Sequence, residues 1–309
     1  MRNDRYISDE WDLGIKGHDK FDFVDVRVND DNLLFIDPCL IERANNSWGQ
    51  KSTRIMTSYF DKLYSAYINN DMQQKKYLLS YAGEQNGIRL GYGNGYNGKG
   101  NTANGLIEDF KPLEGLIHEI KTIGKAQDLP VFIPGFAEDG MSDLLTNILH
   151  EQLNDFTLMQ MKKWGIKSNG TVTFYSWNEK TQRWQLVKKP SYLVNGKELL
   201  LVPKNIVRKN YLFGTGQYFT RIIVDRMRED GDWKNTDGKD IPKKEIIKRL
   251  QYSSEHWVYD QVIEYSKKHN DALDEYHHRL SGFYSEYGQP MGDDDLDRVI
   301  YSIDALKSA

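Results

Sequence analysis

The chain has 309 residues, of which 39% are apolar and 28% charged, a composition typical of a globular protein with one or two domains. No stretch approaches the ~18 consecutive apolar residues of a membrane-spanning helix, and the first twenty residues lack the apolar centre of a secretory signal. The single cysteine, Cys39, excludes an intramolecular disulfide, so we expect a protein of the reducing cytoplasm.

The net charge of −4 conceals an uneven distribution of charge along the chain. Residues 160–250 contain 20 Lys and Arg against 9 Asp and Glu, whereas the remainder contains 21 against 36. Such an asymmetry is typical of a protein that meets a polyanionic partner on one side. Solvated helix faces give the same pattern and remain the alternative.

The first third of the chain mixes strand and helix patterns. Two β-rich runs, 21–28 and 33–37, flank the turn sequence NDDN and predict a hairpin. Apolar residues at helical spacing predict an amphipathic helix over 48–69. Two further strands are predicted at 77–82 and 88–92, on either side of the turn GEQNG.

The middle of the chain begins with a helical pattern over 103–123, in which Pro112 is placed to start a second helix. A short buried strand is predicted at 129–134. A long helix follows, capped by Ser142 or Asp143, and Gly165 provides its C-terminal cap.

The basic part of the chain reads first as strands and then as helices. TVTFYSW and RWQLVKK predict two strands, and Asn195-Gly196 between two apolar runs predicts a hairpin with a type I′ turn. Helices are then predicted at 217–229, 241–251, 254–268, 271–282 and 293–307.

This order of elements predicts an α+β fold, in which a mixed central sheet with hairpins is packed by long amphipathic helices. We expect a core domain over residues 1–213 that contains the functional site. A helical C-terminal subdomain would occupy residues 214–309.

Four acidic residues lie at predicted strand ends or turns. Asp37 ends a buried strand just before Pro38, whose fixed φ would hold the carboxylate in place. Glu84 lies in a tight turn, and Asp139 and Asp143 lie four residues apart at a strand-to-helix junction. Such carboxylates suit divalent cations. An Asp-Pro turn, a solvated turn carboxylate and helix capping are the alternatives.

The sequence GYGNGYNGKG, residues 91–100, contains five glycines. Backbone N–H groups at Gly93, Gly95 and Gly98 could close around a phosphate, with Lys99 adding charge. The segment is not a P-loop, because Gly follows the lysine where Ser or Thr is required, and the acidic residue of a Rossmann fingerprint is missing. The tip of a surface hairpin is the alternative.

Lys204 and Arg208 follow the strand of the predicted hairpin and would share one face of a helical turn, which suits a phosphate clamp. A solvated strand end is the alternative. Other familiar patterns are missing, because the sequence contains neither HExxH, nor zinc-ligand spacing, nor GxSxG. Cys39 has the apolar surroundings of a core residue.

Four motifs occur in a fixed order along the chain. They are an LFIDP strand end, a GYxxGxxGxG loop after a turn glutamate, a DxxSDLxTN helix start and an LLVPKxIVR strand end, here residues 34–38, 91–100, 139–147 and 200–208. In these motifs, and in the basic segment 237–246, the chain resembles a family of uncharacterised bacterial proteins. Gly93 departs from the pattern, which has Ser there. The resemblance implies a link to anti-phage defence loci and no particular activity.

These observations lead to the hypothesis of a metal-dependent phosphodiester hydrolase, either a nuclease or a nucleotide hydrolase, with a role in bacterial defence. Asp37, Glu84, Asp139 and Asp143 would be the catalytic residues and would hold one or two Mg²⁺ or Mn²⁺ ions. Phosphates would be bound by Gly93, Gly95, Gly98, Lys99, Lys204 and Arg208. The basic segment would follow a nucleic acid backbone.

The alternative hypothesis is a non-catalytic subunit of a multi-protein complex that binds nucleic acid or a nucleotide. The acidic residues would then be helix caps, and the C-terminal helices would contact a protein partner from the same operon. Trp177, Trp184 and Trp233 could stack on bases, although the first two also suit the protein core.

Overall fold

Helices form most of the structure. It is a computed structural model that describes residues 5–84, 86–92, 103–229 and 233–301. The helices are α1 (Ile7–Glu10), α2 (Pro38–Arg43), α3 (Ser47–Ile68), α4 (Met72–Leu79), α5 (Ala103–Asp109), α6 (Leu113–Glu119), α7 (Leu129–Phe132), α8 (Glu138–Ile148), α9 (His150–Trp164), α10 (Thr215–Tyr218), α11 (Val224–Glu229), α12 (Lys243–Leu250), α13 (Trp257–Lys268), α14 (Asp271–Glu286) and α15 (Asp293–Tyr301). Among the described helices, none is long and apolar enough to cross a membrane.

The strands form two small antiparallel sheets. β1 (Phe35–Ile36) pairs with β5 (Val207–Arg208). A meander joins β2 (Gly170–Asn178), β3 (Arg183–Val194) and β4 (Lys197–Leu199). The α+β class is therefore confirmed, with its strands divided between two sheets.

The elements with strong local signals form where the sequence predicts them. Helix α3 begins after Asn46, whose side chain accepts a hydrogen bond from the Gly49 amide at 2.8 Å. Gly165 ends α9 with a left-handed φ of 72°. Asn195 and Gly196 have φ of 51° and 75°, as a type I′ turn requires, and they connect β3 to β4.

Several predicted strands have other conformations. The first half of the segment 77–82 belongs to α4, which ends at Leu79, and 129–132 forms α7. The runs 21–28 and 33–37 do not form a hairpin, because Phe35–Ile36 pairs with a distant strand, β5. These segments have high β propensity, but packing against the rest of the molecule outweighs that preference.

The helix predicted to run unbroken to Gly165 is divided at Leu149 into α8 and α9. The Ser176 hydroxyl of β2 donates to the Ile148 carbonyl at 3.2 Å and accepts the Glu151 amide at 3.1 Å. A side chain from the sheet therefore satisfies backbone groups that the break leaves unpaired.

The C-terminal helices share one apolar core with the rest of the molecule. Buried side chains of α14 and α15, such as Tyr276, Tyr284, Leu296 and Ile300, belong to the same cluster as Phe35 of β1. The domain boundary after residue 213 remains a prediction.

Candidate functional site

Asp37 caps α2 and is fully buried. Its Oδ1 accepts the Cys39 amide at 2.8 Å, and its Oδ2 accepts the Tyr284 hydroxyl at 2.7 Å. Arg208 Nε lies 3.2 Å from Oδ2. Burial raises the pKa of Asp37 to about 6, against the opposing effects of Tyr284 and Arg208. Because both carboxylate oxygens have structural partners, we leave Asp37 out of the proposed site.

The two cations of the predicted phosphate clamp, Lys204 and Arg208, also bind groups of the protein itself. Lys204 Nζ donates to the His18 carbonyl and to Asp293 Oδ1, both at 2.6 Å. Arg208 is buried and donates to the Gln289 carbonyl. Lys204 lies in a 3₁₀ turn and Arg208 on β5, so they do not share one face of a helical turn as the sequence suggested.

Glu84 and Asp31 lie near enough to Asp139 for their charges to act on it. Burial raises the pKa of Asp139, and the charges of Asp31 and Glu84 raise it further. Gly91 allows its backbone to lie close to the Asp139 carboxylate, because a Cβ at residue 91 would lie 2.9 Å from Asp139 Oδ1. We call Asp31, Glu84 and Asp139 the acidic group. Sequence reasoning missed Asp31, although it lies in the NDDN turn.

Asp143, the fourth predicted ligand, is buried one helical turn beyond Asp139. Across the residues that the structure describes, no three His, Cys, Asp or Glu side chains are arranged to hold a metal ion. The predicted phosphate-binding residues of the glycine-rich segment lie outside the described residues, namely Gly93, Gly95, Gly98 and Lys99. A site for Mg²⁺ or Mn²⁺ therefore stays a prediction.

A surface that the sequence did not single out lies between α4 and the β2–β3 hairpin. Tyr77 accepts the Trp184 amide at 3.0 Å, and one turn further along the chain Tyr81 stacks on Tyr175, with 3.9 Å between ring centroids. Tyr175 lies opposite Leu186 in the sheet, and the Leu186 side chain is 58% exposed. Aromatic and apolar side chains are thus presented together at the surface.

Basic side chains accompany these tyrosines. Lys62 and Arg183 line a groove of about 410 Å³ together with Tyr77, and Lys188 is exposed on β3. No carboxylate of the described residues forms an ion pair with these three cations, whereas the adjacent Lys189 is paired with two acids. We call the six residues Lys62, Tyr77, Tyr81, Tyr175, Arg183 and Lys188 the tyrosine strip.

The tryptophans named as possible base-stacking residues are buried or partly buried. Trp177 and Trp184 are buried and pack edge-on against Tyr59 of α3. Trp233 is partly buried against the core. The signal that could have found the strip instead is the spacing of Gln74, Tyr77 and Tyr81, which is typical of one helix face, although α4 ends at Leu79, before Tyr81.

The fold and these surfaces define an α+β protein with a buried ion pair in its core, an acidic group and a basic tyrosine strip. The model of a family described as a domain of unknown function (DUF8370) matches residues 13–213. The match covers more than half of the chain, so the protein belongs to this family. No curated protein and no solved structure matches the chain.

Proposed function

We propose that the protein binds single-stranded nucleic acid along the tyrosine strip. The observation that supports this is the combination of partly exposed tyrosines with cations that have no acidic partner in the described structure. Proteins that bind single strands without strong sequence preference use this combination, in which aromatic rings stack on bases and cations follow the phosphates. A single strand is favoured over a duplex, because its bases are free to stack.

The distribution of charge supports the same surface. Arg183 and Lys188 belong to the basic segment 160–250, and Lys62 adds a cation from α3. Many other cations of that segment are paired within the protein, including Lys189, Lys204 and Arg208. The free cations on the strip can therefore neutralise phosphates without breaking an existing ion pair.

Fluorescence anisotropy with labelled 20-nucleotide DNA and RNA tests the proposal. We expect affinity to fall steeply with salt, and the triple variant K62A/R183A/K188A to reduce the slope of log K against log salt by about 0.7 for each lost phosphate contact. Lys248→Ala is the matched control, because Lys248 is an exposed lysine of α12, outside the strip.

Stacking is tested separately with Tyr81→Leu. This variant should weaken binding by about 5-fold to 100-fold while leaving the salt slope unchanged, because a ring is lost and no charge. Binding that is undetectable in the wild type, or that the triple variant and Lys248→Ala change equally, would contradict nucleic-acid binding at the strip.

Metal-dependent phosphodiester hydrolysis is the second candidate, and the acidic group favours it. Burial, together with the charges of Asp31 and Glu84, raises the pKa of Asp139, and a divalent cation would relieve the repulsion between these carboxylates. The test is incubation of labelled DNA and RNA with Mn²⁺ or EDTA. Metal-dependent hydrolysis is supported if EDTA stops the cleavage and if both Asp139→Asn and Glu84→Gln abolish it. Tyr81→Leu should still cleave, because Tyr81 is not part of the acidic group. Cleavage that persists in EDTA would eliminate the metal.

The proposal also covers the setting of the protein. We place it in the cytoplasm, in bacterial anti-phage defence, with a protein partner from the same operon. It rests on the single cysteine and on the resemblance of the motifs described above. Plaque counts on cells that express the operon with wild-type protein or with K62A/R183A/K188A test it. Protection that is lost in the variant supports a defence role, and absence of protection by the wild type against a broad panel of phages speaks against it.

A further inference from the structure

A cavity of about 440 Å³ lies where the family-matched region meets the C-terminal helices. Three segments form its walls: residues 130–138 between α7 and the start of α8, residues 211–217, and residues 255–259 at the start of α13. Its volume is within the range of pockets that hold small molecules. It shares no lining residue with the tyrosine strip or the acidic group.

Four aromatic side chains line the cavity, namely Phe136, Tyr211, Phe213 and Tyr259. Tyr211 and Phe213 stack on each other, with ring centroids 4.6 Å apart, and Phe136 is buried beside them. Tyr259 donates its hydroxyl to the Phe132 carbonyl, and burial raises its pKa to about 12, so the phenol stays neutral. The negative faces of such rings attract cations.

The charged groups of the cavity are acidic. Glu138 accepts the Tyr211 amide and the Tyr92 hydroxyl, each at a long 3.3 Å, and Glu255 is exposed at the rim. The described lining contains no Lys or Arg. This lining repels phosphates and favours a positively charged ligand.

We propose that the cavity binds a small organic cation, an ammonium or guanidinium group on an apolar or aromatic body, with Glu138 as its counterion. Each part of such a ligand has a partner in the cavity. The aromatic side chains pack against the body of the ligand and offer their π-faces to the cation, and the Glu138 carboxylate pairs with the positive charge. The cation can be a free amine or the side chain of a basic peptide.

Calorimetric titration at pH 7 tests the proposal with three phenyl compounds of similar size. The ammonium ion of 2-phenylethylamine should bind, 2-phenylethanol should bind at least about tenfold more weakly, and 3-phenylpropionate should not bind. A tenfold change corresponds to about 1.4 kcal/mol. The tripeptide Gly-Lys-Gly, in a separate titration, distinguishes a peptide source from a free amine.

Glu138→Gln should weaken 2-phenylethylamine binding by about tenfold. Glu264→Gln is the matched control, because Glu264 is an exposed residue of α13 that does not line the cavity. If Glu138→Gln disturbs the fold, Glu255→Gln at the exposed rim provides a second variant in which an acidic side chain is neutralised. We expect this variant to lose less affinity for 2-phenylethylamine.

Several outcomes would overturn the proposal. They are no binding of 2-phenylethylamine up to about 1 mM, equal binding of the alcohol or the anion, and affinity unchanged in both acidic variants. The inference is independent of nucleic-acid binding, because K62A/R183A/K188A should bind the amine like the wild type.

Discussion

At the scale of single residues, burial decides which acids remain free for chemistry. The sequence predicts that Asp37 binds a metal ion and that Arg208 binds phosphate, yet the structure pairs the two side chains with each other next to Tyr284. Asp139 remains half-exposed next to other acids. A sequence shows that two residues have opposite charge, but only their contacts show that they neutralise each other.

Asp37→Ala should therefore destabilise the protein by about 3–5 kcal/mol, because it leaves Arg208 buried without its counterion and removes the cap of α2. Asp37→Asn should cost less, because an amide oxygen can still accept the capping hydrogen bonds, although Arg208 loses its counterion in this variant too. Urea denaturation of both variants checks this. Equal stability of Asp37→Ala and the wild type would show that the pair is not structural.

The raised pKa of Asp37 also predicts a dependence of stability on pH. The folded pKa is about 6, above the ordinary value of 3.8 for an Asp side chain, so the folded state holds this proton more tightly than the unfolded state. This contribution to the free energy of unfolding is fully present below pH ~4 and is lost as pH rises through ~6. Urea midpoints between pH 4 and 7.5 should therefore show a smaller decline in Asp37→Asn than in the wild type. An identical decline would assign the effect to other groups.

At the scale of elements, the predicted cap at Ser142 or Asp143 is wrong, because both residues lie inside α8, whereas the cap at Asp71 is a better guide to α4 than β propensity. Asp71 accepts the Gln74 amide at 3.0 Å and starts α4, although Tyr77, Leu78 and Leu79 have the composition of a strand. Leu78 and Leu79 are fully buried in the helix. The two-residue strand β1 had no local signal for its partner, because β5 is distant in the chain.

Gly49 gives a test in which tertiary contact and helix propensity have opposite effects. Alanine is the better helix former by about 1 kcal/mol, but a Cβ at Gly49 would lie 2.3 Å from the Ala44 carbonyl oxygen. Gly49→Ala should therefore lower the melting temperature. Gly115→Ala in α6 is the matched control and should raise it slightly, because nothing lies within 4 Å of the added Cβ. A stabilising Gly49→Ala would show that the turn before α3 can relax.

At the scale of the whole molecule, the helices after residue 213 complete the structure of the family-matched region. The hydrogen bonds that join the two parts include Tyr284 to Asp37, Lys204 to Asp293, His18 to Asp297 and Tyr301 to Asp25. Three of the groups on the family side, His18, Asp25 and Asp37, are fully buried. Removing the helices would expose apolar surface and leave these polar groups without partners.

A fragment of residues 1–213 should accordingly fail to fold cooperatively, although the family match ends at its last residue. Far-UV circular dichroism and urea denaturation of the fragment and the full chain check this. A fragment with a sharp unfolding transition and a stability like that of the full chain would show instead that the first 213 residues form an independent domain.

The sequence by itself determined the elements whose signals are local: helix α3 with its apolar stripe, the Asn195-Gly196 turn and the glycine cap of α9. It also located Glu84 and Asp139 as acids that could meet. The tertiary structure alone decided that Asp37 and Arg208 neutralise each other, that Asp31 joins the acidic group, and that tyrosines of α4 and β2 form one surface. Caps and turns depend on neighbours in the chain, whereas burial and ion pairing depend on residues that only folding brings together.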